Sequence, residues 1–92
     1  MYSKRVQVIN KTGLHARPAA AFVAEAGKFS SKITIEKVND PDENGPVDAK
    51  SIMKILLLLV SKGDEIEISA TGDDEQAAVD TLVELVESGC KE

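Results

Sequence analysis

The sequence predicts an α+β fold: an open-faced sandwich of four β-strands and three helices, in the order β-α-β-β-α-β-α. Three observations predict it. Four short segments alternate apolar and polar residues, the signature of strands with one face in a core. Between and after them lie segments of helix-forming composition or spacing, opened or closed by Pro, Ser, Asp or Gly. Each strand carries a single apolar face, so the helices cover one side of the sheet and leave the other to water.

The first strand spans roughly residues 3–9, where Val6 and Val8 alternate with Lys4, Arg5 and Gln7. Asn10-Lys11-Thr12-Gly13 is turn chemistry. A first helix is expected over about 16–27, with His15-Ala16-Arg17-Pro18 at its start and Gly27 as its stop. Pro18 suits the first turn, because its missing N–H has no helical partner to lose. Ile33 and Ile35 alternate with Lys32, Thr34 and Glu36 in a second strand. The acidic stretch 39–46 holds two prolines and is expected to be a solvated loop. Val47 to Ala49 makes a short third strand. Ser51 is a favoured N-cap for a helix running from Ile52 to Val60, and Lys62-Gly63 follows as its stop. Glu65 to Ala70 is the cleanest alternation and the fourth strand. Asp73 and Gln76 have capping-box spacing, and Val79, Leu82, Val83 and Val86 then follow at helical spacing, closed by Gly89.

Ninety-two residues make one domain, 1–92, with composition suited to a packed core: 42% hydrophobic and 29% charged. The net charge of −5 argues against nucleic-acid binding, which draws its affinity from cations on phosphate. An RNA-binding sheet also fails on aromatic content, only 3%, because base stacking needs aromatic platforms. The one cysteine, Cys90, excludes an intrachain disulfide and reads as an unused thiol in a reducing compartment. No secretory leader is expected, since the N-terminal segment alternates and lacks an apolar stretch. The longest apolar run, 55–60, is far short of the ~20 residues that span a bilayer, so no membrane partner is expected.

The one histidine is His15. No cluster of ligands surrounds it in sequence, so neither a metal nor another cofactor is expected. Its address is distinctive: a helix start, where the first N–H groups lack intrahelical partners and the macrodipole favours anions. Arg17 adds a permanent cation whose planar fork suits phosphate. An imidazole is a nucleophile available near neutral pH, and a phosphoimidazole has a labile P–N bond that can pass its group on. These residues suggest a reversible phosphoryl carrier rather than an enzyme with its own turnover.

The segment Thr12-Gly13-Leu14-His15-Ala16-Arg17-Pro18-Ala19 resembles the active-site motif of the HPr family, the histidine-containing phosphocarriers of the phosphoenolpyruvate-dependent phosphotransferase system. Lys50-Ser51-Ile52-Met53 resembles that family's regulatory-serine motif, and the stretch 62–72 its last-strand segment. The resemblance implies a cytosolic protein with a four-stranded antiparallel sheet and three helices on one face. It implies that His15 accepts phosphate on Nδ1 from phospho-enzyme I and passes it to an enzyme IIA. Arg17 and the N–H groups of Ala16 and Arg17 would hold that phosphate. Two departures stand out. The acidic loop is longer than the family's tight turn, and Lys54 and Leu59 occupy positions where many members have small residues or glycine.

The second helix is apolar almost all round, more than a helix lying on a sheet can bury. Some of its apolar groups must therefore be exposed, as ordinary surface leucines or as a patch that partners or a second copy can grip. The resemblance favours a docking patch of Ile52, Met53, Leu56 and Leu59 beside His15, with Leu58 turned inward. A monomer is expected. Ser51 is first a cap; in part of the family the matching serine is phosphorylated by an HPr kinase/phosphorylase, which places charge beside the patch and opens a link to a transcriptional regulator. Two further readings are a nitrogen-branch carrier and a regulatory docking protein of the same fold. The latter would normally lack the histidine that is present here.

Overall fold

The structure is a computed structural model and describes residues 1–90. Its elements are β1 (Tyr2–Gln7), α1 (Ala16–Ala26), β2 (Lys32–Lys37), β3 (Val47–Asp48), α2 (Ile52–Leu57), β4 (Glu65–Thr71) and α3 (Glu75–Glu87). The strands form one antiparallel sheet in the order β1-β4-β2-β3, with β4 between β1 and β2. The expected element order and the helix-covered sheet are both present. In register, Val6 faces Ile66 and Ile35 faces Ile68. These side chains are buried with Phe22 of α1, Ile55 of α2, and Val79 and Leu82 of α3. Alternate residues Arg5, Thr34, Glu36, Glu67 and Ser69 carry the open, polar face, as period-two alternation requires.

Several boundaries differ from those the sequence predicts. The second helix ends at Leu57, not Val60. The Leu58 and Leu59 N–H groups donate to Ile55 and Leu56, tightening the last turn, and Leu59 then takes a left-handed φ of +54°. The Lys37 ammonium donates to the carbonyls of Leu58 and Leu59 at 3.5 and 3.3 Å, a cation at a helix C-terminus.

The third helix is capped by Asp74, not Asp73, and without a bond from the cap side chain to its own helix. The Asp74 carboxylate instead accepts hydrogen bonds from the Ser30 and Ser31 N–H groups and the Ser31 hydroxyl. Those bonds hold its pKa down to about 2. The Gly72 N–H donates to Glu75 Oε1 at 3.1 Å and closes the turn. Gly72 sits against Ser31 so tightly that a Cβ would lie 2.5 Å from its hydroxyl oxygen, which is why no side chain fits there.

β1 stops at Gln7, short of the expected residue 9. Val8 still exchanges bonds with the loop after α2, donating to Asp64 and accepting from Gly63, both at 2.8 Å. β3 likewise stops one residue early, at Asp48. Ala49 leaves the ladder pairing but donates to the Ile33 carbonyl at 3.0 Å. Cys90 is buried with the core. No helix among the described residues is long and apolar enough to cross a membrane.

Candidate functional site

The loop from β1 to α1 is pinned immediately before His15. The Gly13 N–H donates to the Asn10 carbonyl and the Leu14 N–H to the Val60 carbonyl, both at 3.1 Å. The Asn10 side-chain amide donates back to the Gly13 carbonyl. Leu14 is buried as the anchor, and the next residue, His15, is exposed.

His15 is the N-cap of α1, with extended backbone (φ −85°, ψ −168°), and its side chain makes no capping bond. The imidazole is therefore not consumed in finishing the helix. Its carbonyl accepts the first intrahelical bond, from the Ala19 N–H at 2.8 Å. The N–H groups of Ala16 and Arg17 precede that bond and belong to the open end of the helix, where they favour an anion. Pro18 is buried and seats the first turn, while Ala16 and Arg17 are exposed with His15. Among the described residues Arg17 forms no ion pair, so its guanidinium is not committed to a carboxylate.

His15 shares a cleft of about 180 Å³ with Thr12, Leu14, Leu56, Leu59, Val60 and Ser61. The packing of α1 beside α2 thus brings the histidine to two of the expected docking residues. Ile52 and Met53 are exposed on α2, as is Leu59 just beyond it; Leu56 is half-buried; Ile55 and Leu58 turn into the core. Leu57, outside the expected patch, is 67% exposed and lies against Asn44, Val47 and Lys54 rather than in the His15 cleft. The signal was available: Leu57 follows Met53 by four, the spacing that puts two residues on one helix face.

Ser51 is the N-cap of α2, and its hydroxyl oxygen accepts the Lys54 N–H at 3.4 Å. The preceding Lys50 ammonium is held on the Phe29 carbonyl at 2.7 Å. A wider cleft of about 610 Å³ lies at the β3 edge against Val47, Lys50 and Lys54, away from His15. No residue of the His15 loop lines it. Among the described residues no three His, Cys, Asp or Glu side chains gather as metal ligands. The arrangement can present a nucleophilic nitrogen, a guanidinium and two amides to an anion, beside an apolar surface.

A family model described as the PTS HPr component phosphorylation site matches residues 2–88. The phosphocarrier protein HPr of Haemophilus influenzae is 46% identical over 86 residues, covering 94% of this chain and 95% of that protein. The crystal structure of HPr-C-His from Thermoanaerobacter tengcongensis is similar at a TM-score of 0.90 and 51% identity, covering 100% of this chain and 98% of that one. The crystal structure of Bacillus subtilis Crh, described as a catabolite repression containing protein and as a dimer with a swapped domain, is similar at a TM-score of 0.72 and 44% identity, over 97% of both chains.

Proposed function

The chain belongs to the HPr family of phosphocarriers, and from that premise we propose that His15 accepts a phosphoryl group from phospho-enzyme I and passes it to an enzyme IIA of the sugar phosphotransferase system. One observation carries the reading: His15 caps α1 with its imidazole exposed, outside any capping bond, in a cleft shared with Leu56 and Leu59. In the first transfer the Nδ1 lone pair attacks phosphorus, the P–N bond forms, and the bond to the donor breaks with its electrons leaving on the donor. The second transfer runs the same step toward the acceptor. The chain is a carrier that partner enzymes load and unload, with no cofactor of its own.

Arg17 and the Ala16 and Arg17 amides hold the phosphate oxygens, and Pro18 fixes the turn that aims them. Ile52, Met53, Leu56 and Leu59 form the surface that partners grip. Ser51 is the target of an HPr kinase/phosphorylase. Phosphate there adds charge beside Ile52 and Met53, hinders docking of the transfer enzymes, and marks the chain for a transcriptional regulator. The carrier acts as a cytoplasmic monomer without nucleic-acid or membrane partners, and size-exclusion chromatography checks the monomer.

The likeness to Crh favours a second reading, a regulatory docking protein that transfers nothing. Incubation with enzyme I and phosphoenolpyruvate, followed by mass measurement, separates the two. Transfer adds one phosphoryl group to the chain; the regulatory reading leaves its mass unchanged. Subsequent unloading by a sugar enzyme IIA, set against its nitrogen-branch counterpart, assigns the branch.

A further inference from the structure

We propose that the groove along the β3 edge is a docking site for a short acidic segment of a partner protein, one whose carboxylates flank an apolar residue. The site stands apart from the transfer face. β2 has six residues and β3 only two, so β3 pairs with Thr34 and Ile35 and leaves Lys32 beyond its reach. The uncovered edge, with Asn44 and Pro46 of the preceding loop and Lys54 of α2, bounds an open cleft of about 610 Å³. A smaller hollow of about 150 Å³ adjoins it, sharing Asn44, Val47 and Lys54 and adding Leu57 and Leu58. Neither is lined by any residue of the His15 cleft.

Charge selects the occupant. Lys32, Lys50 and Lys54 reach the cleft from β2, from the turn after β3 and from α2. Among the described residues none of the three forms an ion pair. The Lys50 ammonium is held on the Phe29 carbonyl at 2.7 Å, a neutral partner that fixes its place and leaves its charge uncompensated. Among the described residues lining the cleft, Asp48 is the one acid, and its Oδ1 accepts the Lys50 N–H at 2.9 Å. Asp40, Asp42 and Glu43 of the neighbouring loop do not line it, and Asp40 accepts the N–H groups of Asp42 and Asn44. A local excess of cations on a chain of net charge −5 attracts a partner of few negative charges and disfavours a long polyanion such as nucleic acid. The cleft is also far larger than one phosphate ion. Beside it Val47 and the 67% exposed Leu57 present an apolar surface. Carboxylates on the lysines and an apolar side chain against Val47 and Leu57 satisfy both parts, and an extended backbone suits the edge of a sheet.

The test is titration of the chain with a dye-labelled pool of short peptides, each carrying Asp and Glu around one central apolar residue, read by fluorescence anisotropy. The acidic pool should bind about tenfold more tightly than the same pool with Asn and Gln in place of the acids, and the gap should narrow as salt is raised. Lys32→Gln combined with Lys54→Gln should weaken binding about tenfold, and Leu57→Ser about fivefold. All three side chains are exposed, so the variants are expected to melt with the wild-type chain. Amide shifts induced by the acidic pool should centre on Lys32, Val47 and Lys54 and leave His15 unmoved. Equal affinity for the two pools, full binding by the double lysine variant, or shifts centred on His15 overturns the proposal. Affinity unmoved by Leu57→Ser overturns the peptide as occupant, because carboxylates alone would then account for the binding and a free small anion would serve as well.

Discussion

Gly13 lies so close to Val60 that a Cβ built on it would stand 2.2 Å from the Val60 carbonyl oxygen. This contact joins the loop that presents His15 to the segment that leaves α2. The same carbonyl accepts the Leu14 N–H, so the histidine loop and the apolar patch are parts of one assembly. Gly13 is required here twice over, by the approach and by its φ of +63°.

Gly13→Ala is therefore expected to destabilise the fold by on the order of 2–3 kcal/mol, combining the positive-φ penalty with a displaced backbone contact. Urea unfolding measures the loss. Phosphoryl transfer at His15 should fall with it, because the loop cannot keep its seat on Val60. A variant as stable as wild type would show that the loop has a second, equally good position.

Met53→Asp and Leu58→Asp separate surface from core. Met53 is 73% exposed and Leu58 is 1% exposed. The first substitution should leave the melting temperature nearly unchanged but weaken enzyme I binding by about 2 kcal/mol, roughly thirtyfold, since it puts a carboxylate into a surface that dries on docking. The second should unfold the domain. Leu56→Asp falls between them, costing both stability and affinity, because Leu56 is half-buried. Titration calorimetry paired with thermal melting reads both effects. Full binding by a folded Met53→Asp variant would remove Met53 from the docking surface.

Asp74 governs part of the acid limb of stability. Hydrogen bonds from the Ser31 hydroxyl and the Ser30 and Ser31 amides hold its pKa at about 2, below the ordinary carboxylate value. A depressed folded-state pKa contributes stability that is fully present above the unfolded value, near 4, and is lost as pH falls toward about 2. Asp74→Asn should flatten the pH dependence across that window while lowering stability at neutral pH. Denaturant midpoints between pH 2 and pH 7 check this; identical profiles for the two proteins would contradict it.

The strands were legible because their alternation is undisturbed and a one-residue slip would turn Ile33, Ile35, Ile66 and Ile68 to solvent. The end of α2 was not, because Leu56-Leu57-Leu58-Leu59-Val60 is uniformly compatible with helix. Its stop is tertiary: Lys37 reaches the last carbonyls from β2, 21 and 22 positions away in the chain. The start of α3 was displaced by one residue because two aspartates adjoin, and only the contact with Ser30 and Ser31 decides between them. His15, Arg17 and Pro18 were legible because they lie together in one short motif at a helix start. The exposure of Leu57 is legible only from its spacing, four residues after Met53 on one helix face.

On the proposed function, His15 is the phosphoryl acceptor. The most direct test is labelling of the wild-type chain and of His15→Ala by enzyme I and radiolabelled phosphoenolpyruvate, followed by acid and alkali treatment. An acid-labile, alkali-stable label is expected on the wild-type chain and none on the variant. Acid-labile label that persists in a folded His15→Ala chain, or no label on the wild-type chain, would contradict that role.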